Sequence, residues 1–236
     1  MTSEPLADVR DMYMAHTMFL REFGLAPNLI TGVAAGDTAR AAVVADHIEL
    51  IDSVLHHHHQ SEDGHLWHRF LERAGTDAVS VVSTMEAQHH DIDVLLTAMR
   101  DELKPWRDSA DPAQGSVIAG TVDTLNKHLA EHLAVEENYA LPLIEKHITA
   151  AEWGQMVAAG SSDVPPEQMP LMFGLMAYEA DPDTLRDIIA TLPREVSAVI
   201  GDLAAQAFAE YSVRVPGTPT PQREASTDRR LTQPNA

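Results

Sequence analysis

The sequence predicts an all-α fold: an antiparallel four-helix bundle with an appended C-terminal helical layer. Three observations carry that prediction. Apolar residues recur at steps of three and four over long stretches, whereas the alternation of a β-strand never persists. Gly, Pro and Asn/Asp clusters divide the chain into four long segments followed by several short ones. A length of 236 residues suits one large domain with an added piece and a tail, enough to bury a substantial core.

Helix A is placed at about residues 4–24, closed by Ala26-Pro27-Asn28 and Gly32. Asp37, following Gly36, caps helix B, which runs to about Arg73 and stops at Gly75. Helix C spans about residues 78–103 and is ended by Pro105 and Ser109-Ala110-Asp111-Pro112. Helix D runs over about residues 113–147, with a bend expected at Pro142. Short connections make neighbouring helices antiparallel, so residues 1–148 form the bundle. Shorter helical pieces follow at about 150–159, 170–179, 181–192 and 194–213, a layer of residues 149–214 packing on the bundle. Met156, Met169, Met172 and Met176 read as adaptable packing there. The Pro-rich run after Val215 marks residues 215–236 as a disordered tail.

Composition narrows the function. The 36 Asp and Glu against 16 Lys and Arg leave a net charge of −20, which excludes nucleic acid and anionic membrane surfaces as electrostatic partners. With no cysteine there are no disulfides, thiolate metal sites or cysteine nucleophiles. No apolar run reaches the ~18 residues of a membrane span, and the acidic N-terminus lacks the shape of a signal peptide, so a cytoplasmic location is expected. The informative excess is thirteen histidines.

Each bundle helix presents one apolar seam to the core, and reading the seams locates the histidines. Helix A contributes Leu6, Val9, Tyr13, His16, Leu20 and Phe23; helix B contributes Ile48, Ile51, Leu55, His58, Glu62, Leu66 and Phe70. Helix C gives Val82, Met85, His89, Ile92, Leu96 and Met99, while helix D gives Ile118, Val122, Leu125, Leu129, His132, Glu136, Tyr139 and Leu143. Every seam is interrupted by polar residues, and counting from the turns at ~1.5 Å per residue puts the interruptions at one height. His16, His58, Glu62, His89, His132 and Glu136 therefore converge on one cross-section. Two buried carboxylates among imidazoles cost several kcal/mol each without a cation, so these six are candidate metal ligands. Nitrogen and carboxylate donors suit iron, manganese or zinc, and two bridging carboxylates imply two ions about 3.5 Å apart. The donor count favours two non-heme iron ions, oxo- or hydroxo-bridged, with positions left for a small oxidant.

These residues resemble the hemerythrin-like, HHE cation-binding family. His56-His57-His58-His59-Gln60-Ser61-Glu62-Asp63-Gly64-His65-Leu66-Trp67 is similar to the signature around that family's second helix, in which a His and a Glu four residues on are ligands. His132-Leu133-Ala134-Val135-Glu136-Glu137 with Leu141-Pro142-Leu143 resembles the fourth-helix motif, Met85-Glu86-Ala87-Gln88-His89 the third, and His16 with Arg21 the first. The resemblance covers about residues 8–147 and implies a non-heme di-iron site in a four-helix bundle. One departure stands out. Oxygen-carrying hemerythrins place two histidines four apart on the third helix, whereas Met85 and Asp93 flank His89 here at that spacing. One nitrogen ligand is thus missing or replaced, with Glu86, His90 and Asp93 as candidates and His65 and His128 as pocket-lining alternatives. His56, His57 and His59 are assigned solvated or supporting roles; His47, His68 and His147 are assigned to surface or packing. Tyr13 and Tyr139, one turn from ligands, read first as buried tyrosines with ordinary hydrogen-bond partners, with contact to a bound oxygen species as the alternative. Asp63 and Glu137, each following a ligand glutamate, are expected to orient a histidine from outside.

The function expected is a di-iron protein binding dioxygen or hydrogen peroxide. Its reduced imidazole content favours redox chemistry, a catalase-like decomposition of peroxide, over reversible oxygen carriage. The alternative is an iron or oxygen sensor or store acting through a protein partner; a structural bundle with zinc or no metal is a third reading.

Overall fold

The computed structural model describes residues 4–221 and 223. The bundle consists of α1 (Arg10–Thr31), α2 (Thr38–His65) continued by α3 (Trp67–Ala74), α4 (Thr76–Ser109), and α5 (Pro112–Val135), which passes through a π-helical segment, Glu136–Ala140, into α6 (Leu141–His147). Then come α7 (Ala150–Gly160), α8 (Met169–Ala177), α9 (Pro182–Thr191), α10 (Arg194–Ser197) and α11 (Ile200–Arg214). Among the described residues no helix is long and apolar enough to cross a membrane.

Helix bounds differ from expectation where hydrogen bonding outweighs local propensity. Residues 4–9 are not the first turns of helix A. Ala7 donates to the Ile148 carbonyl and Ala150 to that of Pro5, both at 2.9 Å, so the N-terminal segment clamps the start of α7. The expected break at Ala26-Pro27-Asn28 is helical. Pro27 has no N–H for the Phe23 carbonyl, but Asn126 on α5 donates its Nδ2 to that oxygen at 3.1 Å, and the helix continues to Thr31. Pro105 likewise lies inside α4, where the carbonyl it releases belongs to the exposed Asp101. The helix stops instead at Ala110, in the left-handed conformation, and Asp111 caps α5 by accepting from the Ala113 N–H at 2.8 Å.

Helix D is interrupted by the π segment before Pro142 rather than bent at it. There Leu141 donates to Glu136, five residues back. The added residue per turn advances the buried face by one position: Ala140, Leu141 and Ile144 are buried, while Tyr139 is 58% exposed and Leu143 half-buried. Tyr139 is thus removed from the seam.

Two apolar clusters fill the interior. One gathers Phe19, Phe23, Ile51, Leu55, Leu96 and Leu129; the other gathers Met12, Trp67, Phe70, Met85, Leu141 and Ile144. The polar seam residues lie along the helices between them. α7 packs on α2, and α8 packs on α1 and α11. Leu175, Phe208, Tyr211 and Val215 join the first cluster, so this layer shares the bundle's core. A buried Arg21 fixes it by donating to Glu22 (2.6 Å), Glu179 (2.9 Å) and the Leu175 carbonyl (2.8 Å). Residues 215–221, expected to open a disordered tail, instead pack here: Val215 and Pro221 are buried, and Tyr178 donates its hydroxyl to the Pro221 carbonyl at 2.8 Å. The remainder of the expected tail, Gln222 and residues 224–236, lies outside the described residues.

Candidate metal centre

All six predicted ligands meet in the bundle interior, joined by a seventh, His59. The ligand atoms of His16, His58 and Glu136 lie within 4.8 Å of one another, and so do those of His59, His89 and His132. The two glutamates tie these triads together. Glu62 sets one oxygen 3.2 Å from His58 Nε2 and the other 3.4 Å from His89 Nε2. Glu136 Oε2 is 3.3 Å from His16 Nε2 and 3.8 Å from His132 Nε2.

The donor atoms are held ready for a cation. Nε2 of all five imidazoles and both oxygens of Glu62 and Glu136 are buried without a hydrogen bond, nine donor atoms in all. Leaving so many buried polar atoms unsatisfied is costly unless a ligand completes them. Three rings are oriented from behind. His89 Nδ1 faces Asp63 at 2.8 Å, His16 Nδ1 faces Glu137 at 3.0 Å, and His132 Nδ1 faces the Gln88 amide oxygen at 3.3 Å. Each of these oxygens accepts, so Nδ1 carries a proton and Nε2 is the nitrogen turned inward. Asp63 and Glu137 hold the orienting positions expected of them.

Charge is shared unevenly among the groups. Burial opposes protonation of His16, but Glu136 and Glu137 overcome it and raise its pKa to about 10. His89 behaves alike, raised to about 10 against burial by Asp63 and Glu62. Burial lowers His58 and His132 to about 3 and pushes His59 well down. Burial and the neighbouring Glu136 push Glu62 up, whereas His16 draws Glu136 down despite burial. A cation entering here displaces protons from the His16 and His89 rings, so its binding is coupled to pH.

The hemerythrin HHE cation binding domain matches residues 7–144, more than half of the chain. The chain belongs to the hemerythrin HHE family. Comparison with curated proteins and with solved structures gives no match. Domains of this family bind metal cations, generally iron, and the His and Glu clusters fit such a cation: they offer only nitrogen and carboxylate donors, preoriented and lacking other partners.

The hemerythrin-like site corrects the sequence reading at several positions. The further imidazole that the structure adds to the cluster is His59 on α2, not a group on the third bundle helix. Its ring stacks on His89, with centroids 4.0 Å apart, and is buried. Glu86, His90 and Asp93 are exposed and line, with His56 and Gln60, a polar cleft of about 370 Å³ over His59 and His89. His65 and His128 are exposed too. None of these five enters a triad. Tyr13 is half-buried, and Tyr139 points outward. His47 is a packing residue, its Nδ1 2.8 Å from the Tyr211 hydroxyl.

A helix B seam one residue wide hides His59. Stepping four then three from Ile48 gives Asp52, Leu55, His59 and Glu62, all buried, alongside the predicted row through Ile51 and His58. A core-facing stripe is more than 100° wide, so adjacent histidines can both reach inward. That second row was the available signal.

Proposed function

We propose that the chain is a non-heme di-iron protein that takes dioxygen or peroxide as its small ligand. The observation that carries this reading is the pair of imidazole-bearing triads bridged by Glu62 and Glu136. His16, His58 and Glu136 would hold one iron; His59, His89 and His132 the other; Glu62 would join Glu136 between them. Two adjacent irons supply redox equivalents in pairs, as the reduction of dioxygen or the disproportionation of peroxide demands. The chain's own part is to fix the donors through Asp63, Glu137 and Gln88 and to pack Phe19 beside His58 and Trp67 beside His89.

The fifth imidazole changes the balance of activities. Peroxide decomposition was favoured by a nitrogen-poor centre, and His59 removes that premise. Nine protein donors for two six-coordinate ions leave few positions free, which supports reversible binding of one small ligand ahead of turnover. The cytoplasm, where no disulfide is needed, suits such a protein.

The test is metal analysis joined to an optical titration. Purified protein should carry about two irons per chain, and its spectrum should cycle between oxygen and argon with little oxygen evolved from hydrogen peroxide. Rapid evolution of oxygen, suppressed in Glu62→Gln and unchanged in Tyr139→Phe, would establish the peroxide-decomposing reading instead. One zinc per chain with no uptake of iron sinks the di-iron assignment.

A further inference from the structure

An apolar pocket of about 160 Å³ lies between α1, α2, α7 and α8. Met12, Met18, Met156, Met172, Met176 and Phe19 line it, and His58 closes part of it. The α7 and α8 residues fall outside the segment that matches the family, so the enclosure is built by the C-terminal layer of this chain.

Most of its polar groups are already engaged. Trp153 donates its Nε1 to Asp11 at 3.1 Å, and the Met12 N–H donates to the same carboxylate at 3.0 Å. Ser61 donates to the His58 carbonyl at 2.8 Å, and Ser161 donates to that of Val157 at 3.1 Å. His58 Nε2 faces Glu62 rather than the pocket. Water inside would find few of the two to four partners that hold it in place, and an apolar space of about 150 Å³ accepts a benzene-sized guest. Thioether side chains adapt their rotamers to such guests at little cost.

We propose that this methionine-lined pocket binds a small neutral apolar molecule, the size of one aromatic ring or a short alkyl chain, against His58. The occupant is neutral because the wall is overwhelmingly apolar, its Trp153, Ser61 and Ser161 donors are engaged within the protein, and Asp11 repels anions. It is small because the pocket, which is partly open to solvent, holds room for a single ring. Binding here needs no iron, so it stands apart from the di-iron reading.

Calorimetric titration of the purified full-length chain with toluene tests the proposal. One saturable site per chain is expected, with benzoate producing no binding at concentrations that saturate toluene. Val157, 42% exposed, and Ala15, half-buried, both line the pocket. Val157→Trp and Ala15→Leu should each weaken toluene binding at least tenfold, and whichever retains its helical circular dichroism decides the matter. Val213→Trp, on the exposed side of α11, should leave the affinity unchanged. Absence of saturation up to the solubility limit, equal binding of benzoate, or wild-type affinity in a folded pocket variant overturns the proposal. Iron content, measured separately, reports on the metal centre alone.

Discussion

His58 and His59 are neighbours in sequence but serve different triads, one with His16 and Glu136, the other with His89 and His132. Adjacent helical residues diverge by about 100°, so the pair straddles the seam and sends one imidazole to each side of Glu62. This makes His59 testable against its neighbours. His59→Ala should lower iron from about two ions per chain to about one, since it dismantles a single triad. His57→Ala, whose half-buried ring lies 3.3 Å from Asp163, should leave iron content unchanged. Equal loss in both variants, measured by elemental analysis, would mean that the triads are wrongly assigned. His16, Glu62 and Glu136 were legible because each interrupts an apolar row where a polar residue is expensive. His59 was not, because three further histidines beside it masked which of the four the helix turns inward.

At the scale of the helices, the seam of α4 was readable throughout, and Val82, Met85, His89, Ile92, Leu96 and Met99 are all buried as their spacing requires. The seam of α5 was readable only as far as Glu136, because a three-four pattern presumes an unbroken α-helical pitch and the π segment violates it. Prolines misled the reading at α1 and α4 for a related reason. Their cost depends on what meets the released carbonyl, which at α1 is Asn126, remote in sequence, and at α4 is solvent around the exposed Asp101. Pro27 gives a direct check. Asn126→Ala should destabilise the protein by about 1–2 kcal/mol, leaving the Phe23 carbonyl without its donor. In a Pro27→Ala background the same change should cost almost nothing, because the restored N–H takes over. Denaturant unfolding of the four proteins gives the coupling energy; additive effects would show that Asn126 does not compensate the proline.

Over the whole molecule, α8 and α11 approach so closely that a Cβ at Gly174 would run into the Ala204 carbonyl. Gly174→Ala should therefore cost about 1–3 kcal/mol. Because Leu175 and Phe208 belong to the same apolar cluster as Phe19 and Ile51, the loss should appear as one lowered thermal transition. An early separate melting step, with the bundle's transition unmoved, would make the C-terminal layer an independent unit. The order of the helices has a further consequence during synthesis. α1 packs most extensively against α5, so after α1 is made it waits for about eighty more residues, on the order of ten seconds of translation. Through that interval Phe19 and Phe23 have no final partner on α5, and the N-terminal clamp cannot close until Ile148 and Ala150 emerge. Nascent chains of this protein thus carry an amphipathic helix with its α5-facing side uncovered for about a third of their elongation, a surface for whatever shields apolar groups at the exit tunnel.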